Sequence, residues 1–192
     1  MPMNEDTKKL RNLVIAPWII KATALIGIHR NVGGNQFRHG LATMAILLDY
    51  KLFGDYVLLK ASVIHDLLED IPETNEYDLR HIDADADKVV DLVKEVTRRK
   101  DQSKTDFLKM LLEQGSFNAK ILKVADRISN LTDLHRDHYS REKMSQYLNQ
   151  TEQFVLPMAV LVNDDMAIEL NDLITKRRQQ LNYLKYPGFI GF

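Results

Sequence analysis

Apolar residues recur along most of the chain at a spacing of three to four positions, which is the period of an α-helix. We find no convincing run of alternating polar and apolar residues, the pattern of a half-buried strand. The spacing therefore predicts an all-α protein of about eight helices, at 18–28, 37–53, 56–70, 88–98, 105–113, 119–134, 141–162 and 165–184.

Short breaks of glycine, asparagine and proline separate these helices. Gly33-Gly34-Asn35 and Gly54-Asp55 interrupt the helical pattern, and Pro72 ends the third helix. Pro157 lies inside the seventh predicted helix and should kink or split it. No stretch has the composition of a linker. We therefore expect a single HD-type helical bundle over 1–192, with a core at about 17–140 and C-terminal helices at about 141–184.

The composition narrows the class of protein. Of 192 residues 45% are hydrophobic and 28% are charged, which excludes wholesale disorder. Lys plus Arg number 26 and Asp plus Glu 27, so the chain as a whole has no electrostatic reason to bind nucleic acid or an anionic membrane. The lack of cysteine excludes disulfides and thiolate metal sites. The polar N-terminus is unlike a signal peptide, and no apolar run approaches a membrane span, so we expect a cytoplasmic protein.

The polar residues that interrupt the third predicted helix are the first candidates for chemistry. His65, Asp66, Glu69 and Asp70 directly follow an apolar run. Burying imidazole and carboxylate groups without partners is costly, and a bound divalent metal would offset that cost. In a continuous helix Glu69 would share the face of His65 and Asp66. The His-Asp dipeptide alone is weak evidence, since a buried histidine paired with a neighbouring acid also explains it.

Two further segments supply residues of the same chemical type. His39 stands at the start of the second predicted helix, and Asp126 interrupts an apolar helical face with Asn130 one turn later. Taken singly, His39 could be a surface or capping residue and Asp126 a structural ion-pair partner. Taken together with His65 and Asp66, they offer two imidazoles and two carboxylates. That set suits a divalent cation such as Mn²⁺, Fe²⁺ or Zn²⁺, with open positions for water and a phosphate oxygen.

These motifs make the sequence resemble the HD-domain phosphohydrolases. The resemblance is strongest to the alarmone (ppGpp) hydrolase domain of the RelA/SpoT type and its small single-domain relatives. The family block His-Asp-x-x-Glu-Asp stands at 65–70, and the Lys-x-Ala-Asp-Arg-x-x-Asn signature stands at 123–130. Shorter matches are Leu-Val-Lys-Glu-Val-Thr at 92–97 and Lys-Met-Leu at 109–111. Their order and approximate spacing agree from about 22 to 134.

The resemblance implies a role for each matched residue. The metal ligands would be His39, His65, Asp66 and Asp126, and Mn²⁺ would be the favoured ion. Glu69 and Asp70 would handle the attacking water, Asn130 would face the nucleotide, and Arg30 would pack against the guanine base. The implied enzyme is a metal-dependent hydrolase that removes the 3′-pyrophosphate from ppGpp or pppGpp.

The departures from the family pattern fall before and just after the first ligand. The family usually has Arg-Lys-x-Gly-x-Pro-Tyr there, followed by Pro after the histidine. Here Asn31 stands in place of the Lys, Asn35-Gln36 in place of the Pro-Tyr pair, and Gly40 in place of the Pro. These positions shape the base and phosphate pocket more than the metal site, so they bear on the identity of the substrate.

Three alternatives therefore remain open at the level of sequence. The chain could hydrolyse ppGpp, act as a phosphatase on another nucleotide such as the 2′-phosphate of NADPH or a deoxynucleotide, or sense a nucleotide without catalysis. The partner expected in each case is a small nucleotide, with a homo-oligomer as a further expectation. Phosphate contacts are expected among four lysines that the sequence does not rank, namely Lys104, Lys109, Lys120 and Lys123.

Overall fold

A computed structural model describes residues 5–183, and within that range the chain is all-helical apart from turns and one isolated bridge between His29 and Asn35. The expected fold class is confirmed. Nine α-helices in this range have seven residues or more, close to the expected eight. The α-helices are α1 (Glu5–Lys8), α2 (Ala16–Ala22), α3 (Gln36–Asp49), α4 (Tyr56–Ile64), α5 (Leu67–Asp70), α6 (Glu76–Arg80), α7 (Ala86–Val96), α8 (Lys104–Gln114), α9 (Phe117–Asp133), α10 (Arg141–Gln150), α11 (Leu156–Val162) and α12 (Asp164–Tyr183).

Helices α9 and α4 form the centre of the bundle. Helix α9 packs against α3, α7, α11 and α12, and ten of its residues are buried. Helix α4 packs against α2, α3 and α7, and every residue from Leu58 to Ile64 is buried. The chemistry-bearing residues predicted from sequence lie on or next to these two helices and α3.

The third predicted helix, 56–70, is wrong as a single element. Helix α4 ends at Ile64, His65 and Asp66 form a turn, and the short helix α5 follows. The imidazole Nδ1 of His65 lies 2.8 Å from the carbonyl oxygen of Ser62. A continuous helix would offer that carbonyl to the backbone N–H of Asp66. The His65 side chain therefore competes with the Asp66 backbone N–H for the Ser62 carbonyl, where helix α4 ends.

A glycine turn sets where α3 begins. Gly33 and Gly34 have φ values of 87° and 75°, in the left-handed region that glycine tolerates. Asn35 follows as the N-cap, and its side chain accepts a hydrogen bond from the backbone N–H of Arg38 at 2.9 Å. The turn and cap together place His39 in the first turn of α3.

The expected break near Pro157 also appears. A π-helical turn at Thr151–Val155 separates α10 from α11, and Pro157 lies in the first turn of α11. Buried apolar side chains form a connected cluster from Trp18 to Leu181. The division into a core at 17–140 and helices at 141–184 stays a prediction, and residue 184 lies outside the described residues. None of the helices in the described range combines the length and apolar content needed to cross a bilayer.

The closest approach of α3 to α4 occurs at Gly40. A Cβ atom added to this glycine would lie 2.7 Å from the backbone oxygen of Val63. Glycine in a helix interior is unfavourable by about 0.5–1 kcal/mol relative to alanine, so its presence here reflects the space available. This contact brings His39, the preceding residue, next to the end of α4.

We expect Gly40→Ala to destabilise the protein by about 1–3 kcal/mol, because the new methyl group forces α3 away from α4. The measurement is the free energy of unfolding from urea titration. Gly27→Ala is the matched control, since a Cβ there meets nothing within 4 Å. Equal stability of the two variants would contradict the close approach.

Candidate active site

Three parts of the chain contribute the candidate metal ligands and acids beside one cavity of about 610 Å³. Helix α3 supplies its first turn, the α4–α5 junction supplies the His-Asp block, and α9 supplies the segment around Asp126. The volume is in the range of pockets that bind small molecules and cofactors. The metal ligands, acids and nucleotide contacts implied by the resemblance all line this cavity except His65, which is buried next to it.

The floor of the cavity is a cluster of two imidazoles and a carboxylate. One ligand-type atom from each of His39, His65 and Asp126 lies within 4.8 Å of the other two. The His39 Nε2 atom is 3.0 Å from Asp126 Oδ1, and all three residues are buried. Asp66 adjoins the cluster, with its Oδ2 atom 3.3 Å from His65 Nε2 and 3.7 Å from His39 Nε2.

The hydrogen bonds of the two imidazoles fit a metal site. The Nδ1 atom of His65 donates to the Ser62 carbonyl, so Nε2 has the lone pair in the neutral ring, the form that binds a metal. That Nε2 atom is buried and has no hydrogen-bond partner among the described residues. The Nδ1 atom of His39 lies 3.0 Å from the Ser129 hydroxyl. A second partner that orients the ring in this way is typical of histidines that bind metals.

The charges around the cluster favour a cation. Burial by itself lowers the pKa of His65, but the carboxylates of Asp66 and Asp126 outweigh it and raise the pKa to about 9. Burial raises the pKa of Asp126, yet Lys123 and the two imidazoles reverse this effect and hold that pKa well below its usual range. The carboxylates of Asp66 and Asp126 thus favour a positive charge beside the two imidazoles. The residues therefore fit a divalent metal ion.

The two carboxylates beyond the cluster differ in their surroundings. Asp70 is half-buried, and its Oδ2 atom accepts a hydrogen bond from the amide of Gln36 at 2.9 Å. Burial, together with the nearby charge of Asp66, raises the pKa of Asp70. Glu69 is exposed, and its Oε1 atom lies 3.7 Å from the Arg98 guanidinium. Both groups are acids at the cavity wall that could accept a proton from a water molecule.

Arg30 and Asn130 are joined to each other and, through Asn130, to the cluster. The Arg30 guanidinium donates to the Asn130 side-chain oxygen at 2.7 Å and lies 3.8 Å from Asp133. The Asn130 amide donates in turn to Asp126. This chain of contacts links Arg30, which lines the cavity, to Asp126 of the cluster.

The structure separates the four candidate lysines. Lys104 and Lys123 line the cavity, whereas Lys109 and Lys120 do not. Much of the Lys104 side chain is exposed, but its ammonium group lies 4.7 Å from the centre of the Tyr147 ring. Burial of the ammonium group, followed by the charges of Arg127 and Lys123, lowers the pKa of Lys104 to about 8.

The buried side chain of Arg127 also packs against the Tyr147 ring. Its guanidinium lies 4.1 Å from the ring centre and donates to the Thr151 hydroxyl at 2.5 Å. Lys104, Arg127 and Tyr147 therefore give the cavity lining cationic groups and an aromatic ring, which suit a phosphorylated nucleotide.

Sequence reasoning missed two residues that contact the expected site. Ser129 lies three positions after Asp126, on the same helical face, so the spacing could have revealed it. Gln36 lies three positions before His39, but nothing in the sequence relates it to Asp70. Its significance appears only when α3 and α5 are brought together.

The fold and the site together define an all-helical domain with a buried His-His-Asp cluster that could hold a metal ion, beside a cavity lined by acidic and basic residues. Three curated relatives of the chain are guanosine-3′,5′-bis(diphosphate) 3′-pyrophosphohydrolases named MESH1. The human and mouse proteins are each 31% identical over 129 residues, which are 64% of this chain and 70% of the relative. The Xenopus tropicalis protein is 30% identical over 123 residues, or 61% of this chain and 67% of the relative.

A solved structure gives the same result for the fold. It is described as a metazoan ortholog of SpoT that hydrolyzes ppGpp and plays a role in starvation responses. The TM-score is 0.72 at 21% sequence identity, over 92% of this chain and 98% of that one. No family model matches the chain. From its curated relatives, the chain belongs to the MESH1 family of guanosine-3′,5′-bis(diphosphate) 3′-pyrophosphohydrolases.

We expect Ser129→Ala to weaken Mn²⁺ binding by about 10–100-fold, because His39 loses the partner that orients its ring. The measurement is calorimetric titration of the metal-free protein. Ser145→Ala is the control, since Ser145 on α10 does not line the cavity. Equal affinity of the two variants would mean that the Ser129 hydroxyl does not support the metal site.

Proposed function

We propose that the chain is a metal-dependent hydrolase that removes the 3′-pyrophosphate from ppGpp and pppGpp. The observation that carries the proposal is the buried cluster of His39, His65 and Asp126, beside a cavity that is lined by both carboxylates and cations. The activity of the MESH1 relatives supplies the substrate class.

In this proposal His39, His65, Asp66 and Asp126 hold one divalent ion, and Mn²⁺ is the ion we favour. When bound, the ion supplies Lewis acidity, which lowers the pKa of a water molecule and polarises a phosphoryl group. The unpartnered Nε2 atom of His65 supports this assignment, because a buried lone pair without a donor is costly unless it binds a ligand.

The acids of α5 remove the proton of the attacking water. Asp70 is the base held in place at the cavity wall, and Glu69 is the exposed carboxylate beside it. The water oxygen bonds to the phosphorus attached to the 3′-oxygen, the bond from that phosphorus to the 3′-oxygen breaks, and the 3′-oxygen takes up a proton. With ppGpp the products are GDP and pyrophosphate.

The remaining wall residues bind the substrate. Lys104 and Lys123 offset the negative charge of the phosphates. Arg30 offers its guanidinium plane to the guanine base and Asn130 faces the nucleoside, both restrained by their mutual hydrogen bond. A cytoplasmic location and a homo-oligomeric state belong to the proposal as expectations.

The sequence of the loop from Arg30 to Arg38 makes a second class of nucleotide an alternative substrate. It has Asn31 where the resemblance leads us to expect a lysine, which removes one cation from the cavity edge. A nucleotide with a different arrangement of phosphates, such as NADPH or a deoxynucleotide, is therefore part of the test.

With Mn²⁺, we expect the purified protein to release pyrophosphate from ppGpp and no phosphate from NADPH or deoxynucleotides. The measurement is chromatography of the products from parallel reactions. Turnover of another nucleotide would keep the class of enzyme and change its substrate. Nucleotide binding without turnover in any divalent metal would identify a sensing module instead.

We expect His65→Ala and Asp66→Ala each to lose bound metal and hydrolysis together, because each variant removes one of the side chains proposed to hold the ion. Metal content by elemental analysis and pyrophosphate release are measured on the same samples. His135→Ala is the matched control, since His135 is exposed and does not line the cavity. Retained hydrolysis in either site variant would contradict the assignment of His65 and Asp66 as ligands of a catalytic metal ion.

We expect kcat/KM for ppGpp to fall as the pH rises through about 8, because Lys104 then loses the charge that attracts phosphate. Burial, followed by the charges of Arg127 and Lys123, keeps the pKa of Lys104 low, while the charges of Asp126 and Glu69 raise it. Lys104→Arg should hold kcat/KM steady through this range, since its guanidinium stays charged. Lys104→Met should lower it by about tenfold at neutral pH.

Initial rates on both sides of that pH provide the test. A wild-type profile that Lys104→Arg leaves unchanged would show that the alkaline fall has another origin.

A further inference from the structure

Gln36 is held rigidly at the entrance to α3. It is the first residue of that helix, directly after the Asn35 cap. Its backbone N–H donates to the Ile28 carbonyl at 2.9 Å, beside the bridge that pairs His29 with Asn35. The position of its Cα is therefore fixed by backbone contacts on both sides.

The side chain of Gln36 reaches across to α5. Its Nε2 atom donates to Asp70 Oδ2 at 2.9 Å, a contact between residues 34 positions apart. Gln36, Asp70 and Glu69 all line the same cavity as the buried cluster. Because an amide N–H can only donate, it favours the ionised carboxylate over the protonated acid.

The other end of the same amide is left without a partner. The Oε1 atom of Gln36 is buried and has no donor among the described residues. An unsatisfied buried acceptor is unfavourable, and such atoms in native structures call for a functional explanation. A methionine of similar length could fill this space with no polar atom to satisfy. The amide group of Gln36 therefore does not improve packing over an apolar side chain, and its hydrogen bond among the described residues is to Asp70.

We propose that Gln36 is the positioning residue for Asp70, an inference that rests on the proposed function. Its N–H holds one carboxylate oxygen of Asp70 and keeps that group ionised and oriented, so that the second oxygen accepts the proton of the attacking water. Gln36 acts through Asp70 and does not itself take part in the proton transfer.

Two substitutions separate positioning from packing. Gln36→Met keeps the length and removes the donor, and Gln36→Glu keeps the shape and replaces the donor with a second acceptor. We expect kcat to fall about tenfold in Gln36→Met and further in Gln36→Glu, with KM and Mn²⁺ affinity within about twofold of the wild type. Gln36→Met should unfold at the same temperature as the wild type or a higher one, because the buried side-chain oxygen without a hydrogen-bond partner is removed.

Gln114→Met is the matched control, since Gln114 is the exposed last residue of α8 and does not line the cavity. It should leave kcat unchanged. A Gln36→Met variant that keeps kcat within about twofold, or that loses thermal stability in step with activity, would overturn the positioning role.

A second readout does not depend on turnover. In a ¹⁵N–¹H spectrum, the side-chain amide of Gln36 is assigned by the peaks missing from Gln36→Met. We expect one of its two protons to be shifted by the carboxylate and to lose this shift in Asp70→Asn. An amide that does not respond to Asp70→Asn would overturn the inference even if ppGpp is hydrolysed. An amide that responds in a protein that hydrolyses no ppGpp would instead reject the proposed function.

Discussion

Two imidazole rings and a carboxylate buried against one another, where α3, α4 and α9 meet, are the constraint on which the structure depends. The His39 and His65 ring centres are 5.0 Å apart, edge to face, and Asp126 touches the first ring. Polar groups buried in this way are unfavourable without partners. Lys123, Ser62 and Ser129 supply part of what is needed, and the unpartnered Nε2 atom of His65 leaves a place for one ligand more.

The same constraint explains why the helices end where they do. Glycine at position 40 lets α3 approach α4, and the bond from His65 to the Ser62 carbonyl ends α4 beside that contact. The short helix α5 follows after the two-residue turn, and Glu69 and Asp70 on it line the cavity.

Much of the fold and the set of candidate residues could be predicted from the sequence. The helix predicted at 105–113 is observed at Lys104–Gln114, because its apolar period is regular and Gly115 follows it. The break at His65 could not be predicted, since the apolar period continues through it and the cause is a side-chain hydrogen bond. Gln36 could not be found for a similar reason, because its partner Asp70 lies 34 positions away and only the packed helices bring the two together. The position of Ser129 on the face of Asp126 was readable from the spacing, but its partner His39 lies 90 positions away.

The departures from the family pattern have unequal consequences because of where they lie in the fold. Asn31 is exposed at the cavity, so a change there leaves the core intact. Gln36 is different, because it belongs to the same departure and yet bonds to Asp70 inside the cavity. A change in the loop before His39 can therefore reach both the edge that would select the nucleotide and the acid that would receive the proton. Gln36 and His39 lie three positions apart in the first turn of α3, so the same turn contributes to the buried cluster and to the contact with Asp70.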